Sequence, residues 1–124
     1  MFWRNTKDIG SYGEKIAAKF LKKQGYKIVA KNFLSAHGEI DLIAKNNDTL
    51  VFVEVKARKD CQAHFDNYGL PREAVTKKKQ EHIIYTARIY LDKHPCELEI
   101  RFDIIEVYLG DKNKVNHIEN AFYA

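Results

Sequence analysis

No stretch of the 124 residues approaches the run of about 20 apolar residues that a membrane-spanning helix requires. The start, "MFWRNTKDIGSYGEK", lacks the long apolar core of a signal peptide, so a cytoplasmic protein is expected. Cysteine is scarce. With only Cys61 and Cys96 there is no disulfide framework, and two cysteines in such a chain are expected to be free thiols. Internal repeats, low-complexity segments and linkers are missing as well, which leaves one domain, long enough for a single real core. Strong charge of one sign is also lacking. The 21 Lys and Arg exceed the 17 Asp and Glu by only four, a balance that permits binding to polyanions without requiring it.

What is present is a clear alternation of periods. Ile9, Tyr12, Ile16, Ala17, Phe20 and Leu21 recur at spacings of three and four, predicting an amphipathic helix over 11–24 that Gly25 terminates. Three strands follow in "YKIVAKNF", "EIDLIAK" and "TLVFVEVKA", the last two joined by the turn "NNDT". Residues 59–73 hold no period and read as a loop. Thr76 caps a second helix that stops before His94 and Pro95. "LEIRFDIIEVYL" is a last strand, with Leu98, Ile100, Phe102 and Ile104 alternating against Glu99, Arg101 and Asp103, and the tail beyond it loses strong periodicity. The expectation is a mixed α/β domain: helix, three-stranded meander, helix, strand, hence a four-stranded sheet.

The hairpin carries charges where apolar residues would be more stabilising. In the third strand Leu50, Phe52, Glu54, Lys56 and Arg58 share one face, and Val51, Val53, Val55 and Ala57 the other. In the second strand Glu39, Asp41 and Ile43 share a face, opposite to Ile40, Leu42 and Ala44. A four-residue loop sets Lys45 against Leu50, and counting back places Asp41 opposite Glu54 and Glu39 opposite Lys56. Directly opposed residues have Cβ atoms about 4.5–5.5 Å apart, so two carboxylates repel there unless a cation lies between them. Mg²⁺, which binds through one or two carboxylates, retained waters and a phosphate, suits that arrangement. Lys56 could then orient or deprotonate a water, or stabilise the extra negative charge of a phosphoryl transition state, so that Asp, Glu and Lys together fit phosphodiester hydrolysis. The bland alternative is an ion-paired strand face. Glu39 is expected to balance Lys56.

"GEIDLIA" followed by "LVFVEVKAR" resembles the PD-(D/E)xK nuclease superfamily, and more narrowly the YraN-like family of predicted endonucleases, similar to archaeal Holliday junction resolvases. The likeness extends to "GSYGEKIAAKFLKKQGYKIVAKNF", "AVTKKKQ" and "RFDIIEV". It implies a restriction-endonuclease-like fold. It further implies that Asp41, Glu54 and the backbone carbonyl of Val55 ligate Mg²⁺ or Mn²⁺, that Lys56 is the catalytic lysine, and that Glu14 is an additional acid near the metal. The proline that gives the motif its name is replaced by Ile40. Glu14 has an equal structural reading as the closing residue of a capping box that starts at Ser11. The function implied is a metal-dependent DNA endonuclease selective for branched or junction DNA, working as a homodimer because a four-way junction needs two cuts. The alternatives are a nucleic-acid-binding module without turnover and an interaction domain whose charges are only ion pairs.

One basic cluster stands apart from the hairpin. Lys77, Lys78 and Lys79 occupy the first turn of the second helix, the positive end of its macrodipole, where an anion would relieve them. Phosphate of DNA is the expected partner, with Arg58, Arg72 and Gln80 as neighbours; a solvated basic turn is the competing reading.

Overall fold

The computed structural model describes residues 6–59 and 75–124, so most of the predicted loop, with Cys61 and Arg72, lies outside the described residues. Five strands form one sheet in the order β1-β2-β3-β4-β5: β1 (Lys27–Ser35), β2 (Gly38–Lys45), β3 (Thr49–Lys59), β4 (Glu99–Leu109) and β5 (Lys114–Phe122). The first three pair as an antiparallel meander, β3 and β4 are parallel, and β5 returns antiparallel to β4. Helices α1 (Thr6–Lys23) and α2 (Lys77–Lys93) cover opposite faces. Neither is long and apolar enough to cross a membrane.

Burial on both faces explains the apolar stretch of β3. Leu50 and Phe52 pack with Ile83, Ala87 and Tyr90 of α2, while Val51 and Val53 pack with Ala17, Ala18 and Leu21 of α1. Each fully buried aliphatic or aromatic side chain contributes roughly 1.5–3 kcal/mol, so the centre of the sheet is where most stability resides. α1 ends as expected. Gly25 takes φ +96°, Tyr26 N–H donates to Leu21 C=O at 3.0 Å and Gly25 N–H to Lys22 C=O at 3.1 Å, a Schellman closure that only glycine enters without strain. Thr76 caps α2 by accepting from Lys79 N–H at 3.1 Å.

Three expectations are corrected. α1 begins five residues before Ser11, so Ser11 is interior and the capping box with Glu14 does not exist; the apolar period that starts at Ile9 belongs to the helix from its first turn. The sheet has a fifth strand, because the tail over Lys114–Phe122 is held by contacts to β4 and not by its own pattern. Ile40 does not stand opposite Ile43. Both join the apolar cluster beneath α2, whereas Leu42 and Ala44 join the cluster beneath α1, so the alternation of β2 breaks at Asp41.

Candidate active site

The β2–β3 ladder runs from Lys45 opposite Leu50 to Leu42 opposite Val53, the register that the turn length predicts. The next pair would be Asp41 and Glu54, and there the ladder ends. Asp41 Oδ2 instead accepts a hydrogen bond from Val55 N–H at 2.7 Å, so a side chain takes the donor that a continued ladder would give to a backbone carbonyl of β2. β1 is distorted at the same level: Asn32, between the Lys31–Leu42 and Phe33–Ile40 pairs, adopts φ 51°. The result is a fork with Asp41 in it.

Three carboxylates meet at the fork. Glu54, 7% exposed, follows Phe52 on β3. Glu14 arrives from α1, which lies close on β3 because residue 13 is glycine; a Cβ there would overlap Ala57 Cβ. With its amide nitrogen facing the two acids, Asn32 donates to Glu39 Oε1 at 2.9 Å and to Glu14 Oε1 at 3.0 Å. Burial pushes the Asp41 carboxyl up to about 8, the negative charges of Glu54 and Glu14 add to this, and the Val55 N–H opposes it. Burial likewise holds Glu14 above its ordinary value, helped by Glu39 and Glu54 and opposed by Asn32. Excess negative charge is the dominant electrostatic feature of the site.

Lys56 is half-buried two residues beyond Glu54, on the same face by strand alternation. Among the described residues it has no carboxylate within 4 Å. Glu39 turns to Asn32, which corrects the expectation that it balances Lys56. Among the described residues the ion pair at the site is made by Lys79, whose Nζ lies 3.4 Å from Glu54 Oε1. One member of the basic run thus serves the acidic fork, a connection invisible in the sequence. Gln80 turns inward as well, donating from Nε2 to Val75 C=O at 3.0 Å, while Lys77 and Lys78 are exposed. Arg58 is half-buried near the end of β3.

Among the described residues no group of three His, Cys, Asp or Glu is arranged to hold a metal ion unaided. The donors do fit a hard cation that keeps its waters: paired carboxylates, one already oriented by a backbone N–H, and no thiolate or imidazole. Asn32 is the site residue that reading by period passes over. The available signal was its type, since asparagine is among the few side chains that tolerate positive φ.

A different buried acid lies elsewhere on the sheet, on β4. Asp103 is wholly buried and accepts from Arg101 Nε at 2.9 Å, His117 Nε2 at 2.7 Å and Asn120 N–H at 3.1 Å, while Arg101 Nη2 also donates to Tyr26 Oη at 2.6 Å. On the alternating polar side of β4, Glu99 is exposed while Arg101 and Asp103 form a largely buried ion network.

Residues 13–107 match the family described as "Uncharacterised protein family UPF0102", a span that contains Glu14, Asp41, Glu54 and Lys56. A UPF0102 protein of Caldanaerobacter subterraneus subsp. tengcongensis is 50% identical over 123 residues, covering 95% of this chain and 97% of its own. One from Clostridium beijerinckii is 47% identical over 121 residues, covering 94% of each, and one from Clostridioides difficile is 45% identical over 119, covering 95% and 99%. Matching over nearly the whole length of these relatives, and to the family itself through the sheet that builds the fork, the chain belongs to the UPF0102 family.

Proposed function

We propose that this protein is a metal-dependent DNA endonuclease of the restriction-endonuclease-like, PD-(D/E)xK type, acting on branched or junction DNA. The observation that carries the reading is the fork: a strand pair that stops one residue short of two converging carboxylates, with a third acid from α1 and a lysine one pleat away. A purely structural sheet gains nothing from such crowding. Residues with displaced titration in one place are a mark of chemistry.

Asp41 and Glu54 would hold Mg²⁺ or Mn²⁺, with the Val55 carbonyl beside them. The bound ion supplies Lewis acidity at the scissile phosphate. The Val55 N–H fixes one oxygen of Asp41, so the donor set is oriented before substrate arrives. Glu14 and Glu54 can each accept a hydrogen bond from an attacking water. Lys56, which has no carboxylate within 4 Å among the described residues, can donate to that water or to a phosphate oxygen as negative charge grows there. Lys79 would exchange Glu54 for a phosphate oxygen, or remain to orient Glu54. The reading places the protein with DNA in the cytoplasm, and as a dimer where two strands must be cut.

The test is cleavage of four-way junction, flap and linear duplex DNA with and without Mg²⁺ or Mn²⁺. The parent should cut only with metal. Asp41→Asn and Lys56→Gln should each lose activity by about 10²–10³-fold, as when one transition-state contact is removed. Metal should raise the melting temperature of the parent and leave that of Asp41→Asn unmoved. Absence of both cleavage and any thermal response to metal would return the fork to a non-catalytic binding module or a set of ion pairs, the latter favoured already by the Lys79–Glu54 contact.

A further inference from the structure

On the flank of α1 turned away from Glu14, a groove of about 400 Å³ runs between α1 and β5. Lys15, Lys19 and Lys23 line it, and Ile16, Phe20 and Val115 form its apolar floor. The three lysines are exposed, and no carboxylate lies within 4 Å of their ammonium groups among the described residues. Their spacing of four residues stacks them on one side of the helix about 6 Å apart along its axis. Like charges four apart destabilise a helix by a few tenths of a kcal/mol per pair. Lys23 is compensated by the negative end of the helix dipole. Lys15 and Lys19 are not.

We infer that this groove binds a single-stranded segment of DNA, its phosphates along the lysine row and its bases against the floor. Charge selects a polyanion, and the floor selects one with exposed flat apolar faces, which paired bases inside a duplex do not offer. Phe20 packs edge-on to the His117 ring of β5, with centroids 5.9 Å apart, which favours one orientation of its ring. Tyr12 adds a second ring at the same wall. The inference rests on the nuclease reading for its choice of DNA and adds to it a substrate class: a strand that is unpaired close to the point of cleavage. Glu14 projects about 160° around α1 from Ile16, so groove and fork are separated by about one helix diameter, ~10 Å.

Binding is measured in EDTA, where no cleavage is needed, by titrating fluorescent single-stranded and blunt duplex DNA at several salt concentrations. Changing Lys15, Lys19 and Lys23 together to Ala keeps good helix formers on an exposed face. The triple variant should bind single strands roughly 10- to 50-fold more weakly near 0.15 M salt, with the salt slope reduced by about 2, from ~0.7 per lost phosphate contact. Duplex binding should change little, and the Lys→Arg triple should restore the parent slope. An unchanged single-strand slope, or equal losses on duplex and single strand, would overturn the inference. If the parent cuts no DNA with metal yet the slopes differ as stated, the groove stands and the nuclease reading falls. If the parent cuts and the slopes agree, the groove alone is refuted.

Discussion

Asp41 and Asp103 are aspartates of the same sheet that meet opposite company. Asp103, wholly buried, is pushed up by desolvation, but His117, Arg101 and the Asn120 N–H outweigh that and hold it below its ordinary value. Arg101 is correspondingly raised, in spite of its own burial, by Asp103 and Tyr26. Asp41 has one N–H and two acids for neighbours, and stands at about 8. Burial penalises both charges, so the sign of the neighbours decides the outcome. At Asp103 every charge is used within the fold, where it ties β5 to β4. At Asp41 the neighbouring charges among the described residues are negative, those of Glu54 and Glu14, and they favour the protonated carboxyl.

The largest test of that contrast is Asp103→Asn, which keeps the volume and leaves Arg101 and His117 with a neutral partner. Breaking a buried ion pair in this way should cost about 3–5 kcal/mol in urea unfolding, and β5 should lose amide-exchange protection first. A cost below about 1 kcal/mol would show that the network is incidental.

Next in size is the pH dependence of the two sites, which runs in opposite directions. Asp103, lowered in the folded state, contributes stability above the ordinary carboxylate value near 3.9 that is lost as pH falls through its folded value. Asp41, raised, contributes stability that is complete below about 3.9 and is lost as pH rises through 8. In metal-free buffer Asp41→Asn should therefore match the parent near pH 4 and exceed it increasingly towards pH 8. The gap should be no more than about 3 kcal/mol, since water relieves part of the repulsion. A variant less stable than the parent at pH 8 would make Asp41 a structural partner like Asp103.

Gly13→Ala sharpens the comparison at smaller cost. The new methyl meets Ala57 Cβ, which cannot swing aside, so stability should drop by about 1–3 kcal/mol, with α1 lifted and Glu14 drawn from the fork. Gly10→Ala is the control, because nothing lies within 4 Å of its added carbon. It should be neutral or stabilising by up to about 1 kcal/mol, as expected for glycine replaced inside a helix. Thermal unfolding of the two variants distinguishes close packing from simple helix propensity.

Much of this was legible without coordinates, for identifiable reasons. The helix end at Gly25, the Thr76 cap and the Lys45–Leu50 register all follow from interactions within a few residues. Counting on from that register pointed to Asp41 and Glu54 as neighbours, although the ladder itself stops at Leu42 and Val53. Glu14 was harder, since a local motif at Ser11 competed with a place at the fork and only the extent of α1 and its position on β3 decide between them.

By itself, then, the sequence determined which segments are helix and strand where period and caps are local, and the hairpin register from Lys45 and Leu50 that leads towards Asp41 and Glu54. Only the tertiary structure decided where the ladder stops, that Asn32 and Glu14 join the fork, that Lys79 crosses to Glu54, and that Asp103 recruits a fifth strand from a tail without a pattern. The physical reason is the range of the forces. Backbone geometry and periodic burial act between near neighbours and leave a written trace. Charges buried together come from segments far apart in the chain, and their balance exists only once the sheet and helices have packed.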